Sequence, residues 1–285
     1  MIPSGPHAKT AFTKGFFDLA LAQNPKPRTL AIAAADAEFS RNASNGARQN
    51  AEAAGLKIVY DRTYPPTTTD FTPLVLTMQA AHPDLVVICS YPLDSVGMVR
   101  AVNEVGFKPK MIGGGMVGLQ ATAFKTQLGA QLNGIVNCDF WLPASTMQFP
   151  GVMGVIKKYQ AQAVQEGVDS LGYYMAPWAY ADLQVLGEAI TATKSLDDNK
   201  LADYMHKSTF NTVVGDVRFG ANGEWDKSRI LQMQFHDIKG HDVAQFARTS
   251  TETIVAPTEY ATGKVIYPYA AESSRTTGSA ERVER

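Results

Sequence analysis

Three aromatic and three acidic side chains stand where apolar runs of strand length end. Asp36, Glu38 and Phe39 follow the run Thr29 to Ala35. Tyr91 and Asp94 follow Asp84 to Ser90, and Trp141 follows Gly134 to Phe140. If those runs are parallel strands, these residues sit at the carboxyl edge of one sheet, where open α/β sheets bind ligands. Helices that begin at that edge point backbone N–H groups toward it, which suits a ligand carboxylate. A crevice lined by aromatics with few charges suits a small, partly apolar solute. The competing role for Asp36 and Asp94 is a helix N-cap, and for Trp141 core packing.

Other chemistry finds little support. The run Gly113-Gly114-Gly115 continues Met116-Val117-Gly118-Leu119, which matches neither a dinucleotide fingerprint nor a lysine phosphate loop. It reads as a loop in which backbone approaches a ligand or a neighbouring lobe. The histidines His7, His82, His206, His236 and His241 contain no i, i+4 pair and lie outside carboxylate-rich runs, so the sequence points to no metal site. No serine sits in a nucleophile elbow. The two cysteines, Cys89 and Cys138, each lie in an apolar run and read as buried free thiols. The sequence therefore points to no catalytic residue and no cofactor.

The elements that would position the edge residues recur regularly. Strand-like runs start near residues 29, 57, 84, 111 and 134. Helical segments ended by Gly55, Pro83, Gly106 and Gly129 separate them. Alternating β and α imply a mostly parallel sheet wrapped by helices, a doubly wound α/β fold. Phe149 to Glu166, Tyr174 to Thr193 and Leu196 to Lys207 then read as helices. In the second of these, Leu183, Leu186 and Ile190 share one face. The helices from 149 to 194 are expected to complete the lobe. Val213 to Phe219 reads as a strand, and Ile230 to Ile238 with Asp242 to Arg248 as a hairpin across Lys239-Gly240-His241. The polar end after Tyr269 reads as a disordered tail.

Composition narrows the class. The chain has 285 residues, enough for about two domains. It carries 26 Lys plus Arg against 27 Asp plus Glu, so its net charge of −1 gives no pull on nucleic acid. No apolar run reaches the ~20 residues of a membrane span. The opening MIPSGPHAKT has neither the basic nor the apolar region of a signal peptide.

Several stretches resemble the leucine-binding-protein family, the type I periplasmic binding proteins that serve branched-chain amino acid ABC transporters. They are KPRTLAIAAADAEFS, the segment from Gly55 to Gly115, YADLQVLGEAI and FNTVVGDVRFGANGEW. The most specific piece is Tyr64-Pro65 with Thr69-Asp70-Phe71, followed by Pro83-Asp84-Leu85-Val86-Val87. The resemblance implies two α/β lobes that close on a solute, no catalysis, a periplasmic location for the full-length member, and a membrane permease as partner. It also implies that the chain lacks the N-terminal part of the family, including the loop that grips a ligand carboxylate. Residues 1–28 would then be a crossover and helix entering the lobe, and 29–194 the ligand-binding lobe with hinge-side helices. Residues 195–268 would be the returning fragment of an incomplete second lobe, and 269–285 the tail. With strands missing, exposed strand edges over 213–248 would favour a homo-oligomer.

By family position, Asp36, Glu38, Phe39, Ser90, Tyr91, Gly114, Gly115 and Met116 are the expected ligand-binding residues. Amino-acid-binding members carry an acidic residue in the loop after the fourth strand. Here that loop reads Gly113 to Met116, without a carboxylate. The expected solute is a branched-chain amino acid or an aromatic or other organic acid, with the acid favoured. Asp36 or Glu38 would have to serve an ammonium group. A ligand-sensing regulator or receptor domain on the same fold is the alternative function. Neighbouring permease or regulator genes would separate the two.

Overall fold

The structure, a computed structural model, describes residues 2–269. The expected tail lies outside them, apart from Tyr269. The chain divides into two compact units. One comprises 9–138 and 231–269, the other 2–8 and 139–230.

The larger unit follows the sequence rhythm. Helix α1 (Ala8–Leu21) leads to β1 (Thr29–Ala35), α2 (Glu38–Ala53), β2 (Lys57–Tyr64), α3 (Thr72–Ala80), β3 (Leu85–Ser90) and α4 (Pro92–Val105). Then come β4 (Met111–Met116), α5 (Thr122–Leu128) and β5 (Val136–Asp139). The paired strands among β1 to β5 run parallel, in the order β2-β1-β3-β4-β5. Side chains alternate between two covered faces, as in a doubly wound sheet. Leu30, Ile32, Ala34, Leu85, Val87 and Cys89 join Phe16, Phe17, Ala43 and Ala47 of α1 and α2 in one core cluster. Ala31, Ala33, Val86, Ile88 and Ile112, at the intervening positions, are no more than 1% exposed. Alanines of β1 let helices approach closely. Gly46 of α2 does the same, because a Cβ there would stand 1.9 Å from the Lys9 carbonyl oxygen of α1.

The amino end of the sheet is clasped by Asp84. Its Oδ2 accepts from the N–H groups of Arg28 and Thr29, and its Oδ1 lies 2.8 Å from Lys110 Nζ. Partial burial pushes this carboxyl up, but Lys110 and the two N–H groups outweigh it and hold it below the usual carboxylate range. A carboxyl lowered by folding adds stability above its unfolded value and loses it as pH falls through the folded value. Asp84→Asn is therefore expected to lower the unfolding midpoint near neutrality. It should also flatten the decline below about pH 4, read by denaturation across pH.

After residue 194 the expectation and the structure part. Strand β8 (Leu231–Phe235) lies beside β5 in the same sheet, and β9 (Glu252–Ala256) pairs antiparallel with β8. The sheet thus has seven strands. The hairpin expected across Lys239-Gly240-His241 does not form. Asp242 to Arg248 holds a short helix, α9 (Val243–Phe246), and the partner of β8 comes later. Residues 231–235 of β8 are paired on both sides, by β5 and β9, so the open strand edges expected there are filled.

The main segment of the smaller unit begins at Asp139. The division falls at 138/139 and 230/231, where the sequence reading placed it after 194. Helices α6 (Val152–Ala163) and α7 (Ala176–Thr193) belong here and do not complete the larger unit. They are followed by α8 (Asp198–Lys207), with Asp197 Oδ1 accepting from Lys200 N–H at its N-terminus. Strands β6 (Thr209–Thr212) and β7 (Gly215–Arg218) pair antiparallel across a turn at Val213 and Val214, where one strand was expected. The buried side of α7 is Trp178, Ala181, Val185 and Ala189. Leu183 and Leu186, expected to face a core, are 69% and 41% exposed. Trp178 wins that contest because it packs on Trp225, with centroids 5.6 Å apart. Trp141 is also buried in this unit, its indole Nε1 donating to the Met147 carbonyl, so it is a core residue and not part of the carboxyl edge.

Candidate functional site

The strand order 2-1-3-4-5 reverses direction between β1 and β3, and a doubly wound sheet opens a crevice at such a point. In register, Ala34 pairs Cys89 and Ser90 pairs Met116, so β1, β3 and β4 end at one level. The loops after β1 and β3 carry Asp36 to Phe39 and Tyr91.

Phe39 and Tyr91 span this switch point. Their rings meet edge to face with centroids 6.2 Å apart, and the Phe39 N–H donates to the Tyr91 hydroxyl at 3.2 Å. Phe12 of α1 also meets Phe39 edge to face, with centroids 5.1 Å apart. Phe39 is thereby fixed at its root, packed partly on the core cluster, while Tyr91 keeps 36% of its surface. Beneath the Phe39 ring lies Gly115. A Cβ built there would be 3.5 Å from Phe39 Cζ and 3.8 Å from Ala43 Cβ, so Gly115 is the floor on which the ring rests.

The remaining candidates divide by role. Gly113, Gly114 and Gly115 are not a loop but the middle of β4, paired with Val87, Ile88 and Cys89. Gly113 and Gly114 are glycine for strand packing. A Cβ on Gly113 would stand 1.9 Å from the Val136 carbonyl oxygen. At Gly114 it would stand 2.5 Å from that of Ile88, on a backbone with φ of 133°. Met116 is fully buried, and both its backbone groups are taken by Asn137, which accepts from its N–H and donates to its C=O at 3.0 Å each. Ser90 is fully buried, with its Oγ 2.7 Å from Ser95 Oγ. Ser95 gives its single proton to the Tyr91 carbonyl and accepts from Gly118 N–H, so Ser90 is the donor of that pair. This network secures the turn that presents Tyr91.

Asp36 lies at the edge but is engaged by Arg41 at 2.9 Å, both side chains more than half exposed. Glu38 is exposed in the first turn of α2. Neither Asp36 nor Asp94 is an N-cap. Those positions are Ala37 and Tyr91, without a side-chain cap. Asp94 is buried and accepts from the Tyr64 hydroxyl at 2.7 Å. Burial and the neighbouring Asp94 carboxylate both push the Tyr64 phenol upward, so it stays a neutral donor. Phe12, Tyr64 and Asn137 were missed by sequence reasoning, since their partners lie tens of residues away.

Both cysteines are buried and free. Burial pushes the Cys89 thiol up to about 12. The native protein is expected to leave thiol reagents unreacted near pH 8 and to titrate two thiols once unfolded. Rapid modification of the folded protein would contradict this placement.

Comparison with known proteins assigns the family. A profile described as periplasmic binding protein matches residues 4–241, so the chain belongs to the periplasmic binding protein family. Leu/Ile/Val-binding protein homolog 8 of Brucella abortus (strain 2308) is 29% identical over 225 residues, covering 77% of this chain and 55% of the relative. The chain thus spans about half the length of the curated relatives it matches. Among solved structures, an amino acid ABC transporter substrate-binding protein from Pseudomonas fluorescens Pf-5 superposes with a TM-score of 0.70. It has 16% identity and covers 93% of this chain and 66% of that one. A solute-binding protein of an ABC transporter from Rhodopseudomonas palustris BisB5, in complex with 3,4-dihydroxy benzoic acid, gives 0.63 with 18% identity. It covers 82% of this chain and 62% of that one. These similarities bear out the type I periplasmic binding protein fold. The relatives are binding proteins by name, and their family is periplasmic. Among the described residues no helix is long and apolar enough to cross a membrane.

Proposed function

We propose that the chain is the solute-binding component of an ABC importer, acting in the periplasm and presenting its solute to a membrane permease. The edge at β1 and β3 forms one wall of the solute site. The preferred solute is a small aromatic acid.

The observation that carries the solute class is the pair Phe39 and Tyr91 over the side-chain-free Gly115. An edge-to-face pair with one ring about a third exposed offers a planar ligand a stacking surface. An α-amino group, by contrast, requires a carboxylate or several acceptors when it is enclosed. Gly114, Gly115 and Met116 supply none from their side chains, Asp36 already holds Arg41, and the carboxylate of Asp94 holds Tyr64. The aromatic acid held by the Rhodopseudomonas palustris protein supports the same direction.

Equilibrium titration with 4-hydroxybenzoate, 3,4-dihydroxybenzoate, leucine, isoleucine and valine tests the reading. Both acids are expected to bind more tightly than all three amino acids. The reverse ranking would overturn the solute class and return Asp36 or Glu38 as the ammonium partner.

A further inference from the structure

A cavity lies in the larger unit, at the other end of its sheet. The end of β8 lies beside the start of β5, with Gly134 N–H donating to the Phe235 carbonyl and Phe235 N–H to that of Ile135. The segment after β8 therefore reaches the amino edge of the parallel strands, opposite Phe39 and Tyr91. There a cavity of about 270 Å³ is lined by Arg100 of α4, Gln127 and Gln131 around the end of α5, and Lys239, Gly240 and His241 after β8. Among the described residues that line it none is acidic.

The wall is built. Asn133 brackets Ile238, accepting from its N–H and donating to its C=O at 2.9 Å each. Lys239 N–H donates to Gln245 Oε1, and Asn103 ties α4 to the Gln131 carbonyl. His241 Nδ1 lies 2.6 Å from the Thr126 carbonyl oxygen, so that nitrogen carries the proton and the ring is held in place. Gly129, at φ 54°, makes room for this ring. A Cβ there would stand 2.8 Å from His241 Cε1 and Nδ1 and 2.9 Å from the Gly240 carbonyl oxygen. These hydrogen bonds fix a loop that places Lys239 on the lining of the same cavity as Arg100, Gln127 and Gln131.

We propose that this cavity binds a phosphate group. The guanidinium of Arg100 offers a planar fork and Lys239 a point charge, a combination suited to a multiply charged oxyanion. Gln127 and Gln131 supply neutral donors. A liquid water occupies ~30 Å³, so the cavity has room for a phosphate with part of its hydration shell.

The test uses the whole chain and inorganic phosphate as probe, followed by amide shifts of Gly129 and Gly240, beside sedimentation with phosphatidic acid and phosphatidylcholine vesicles. Saturable shifts with phosphate, weakened about fivefold by Arg100→Ser and again by Lys239→Ser, are expected, and weaker still at high salt. Saturation with phosphate alone places the group in solution. Sedimentation with phosphatidic acid but not phosphatidylcholine, lost in the same variants, places it on a lipid. Both outcomes support the site. Unchanged melting temperatures would show that the variants, both at exposed positions, remain folded. Failure to saturate with either probe, or binding that both variants leave intact, would overturn the proposal.

Discussion

Replacing Lys125 with Met is expected to destabilise the protein by about 3–5 kcal/mol, a large share of the stability that a folded domain has to lose. Lys125 Nζ lies 2.5 Å from Glu252 Oε1, and both side chains are 2% exposed. The ammonium also stands 5.6 Å from the centroid of the Phe246 ring. Removing the lysine takes the Lys125 ion pair from a buried carboxylate, and the desolvation penalty that the pair offsets, not the lost attraction alone, sets the size of the effect. The pair ties α5 to β9, an edge strand of the sheet, so the lysine variant should expose β9 first in hydrogen exchange. Lys125→Met with Glu252→Leu should recover most of the loss, because an apolar pair of similar volume removes both charges from the interior. Chemical denaturation of the two singles and the double reads this directly. Additive losses would contradict it.

The second large effect concerns the edge. Phe39→Ala is expected to weaken binding of an aromatic acid about tenfold or more, by removing a stacking surface and loosening Tyr91. Tyr91→Phe keeps the ring but strips the acceptor from the Phe39 N–H. It should cost about 1 kcal/mol of stability and leave most of the affinity. Gly115→Ala separates floor from fold. Its Cβ meets Phe39 at ordinary contact distance, so the protein should fold, while Gly114→Ala should not be tolerated. Calorimetric titration of Phe39→Ala, Tyr91→Phe and Gly115→Ala checks the ranking. Equal affinities across the wild type and Phe39→Ala would show that the ring takes no part.

What the sequence revealed follows from how local each signal is. Strands β1 to β4 were legible because each is followed by a helix with its own stop signal, and β5 because it is a short, mostly apolar run after the last of them. Strand β9 was not. It begins Glu252-Thr253, residues of a surface in any local reading, and their burial depends on Lys125 and His236 far away in the chain. The turn at Val213-Val214 hid within an apolar run, since its geometry is set by Gly215 and by the Thr212 hydroxyl, which donates to the Gly215 carbonyl and accepts from the Val214 N–H. The helices from 149 to 193 have core faces, but amphipathicity does not say which core. Trp225, beyond the next helix and a hairpin, decides that for α7. At the edge, Phe39 and Tyr91 were legible from their places after strands. The assignment of the glycine run to a loop failed because a triple glycine reads as a turn signal, whereas here neighbouring backbones require it within β4.

The switch point between β1 and β3 is proposed as a solute-binding wall with an aromatic face. Amide and aromatic chemical-shift mapping during titration with 4-hydroxybenzoate and, separately, leucine tests it most directly, since it reads the place and tolerates weak binding. Saturable shifts from the acid are expected at Phe39, Tyr91 and Gly115, absent in Phe39→Ala, with smaller shifts from leucine. Shifts confined to other parts of the chain, or present at these residues with leucine alone, would contradict it.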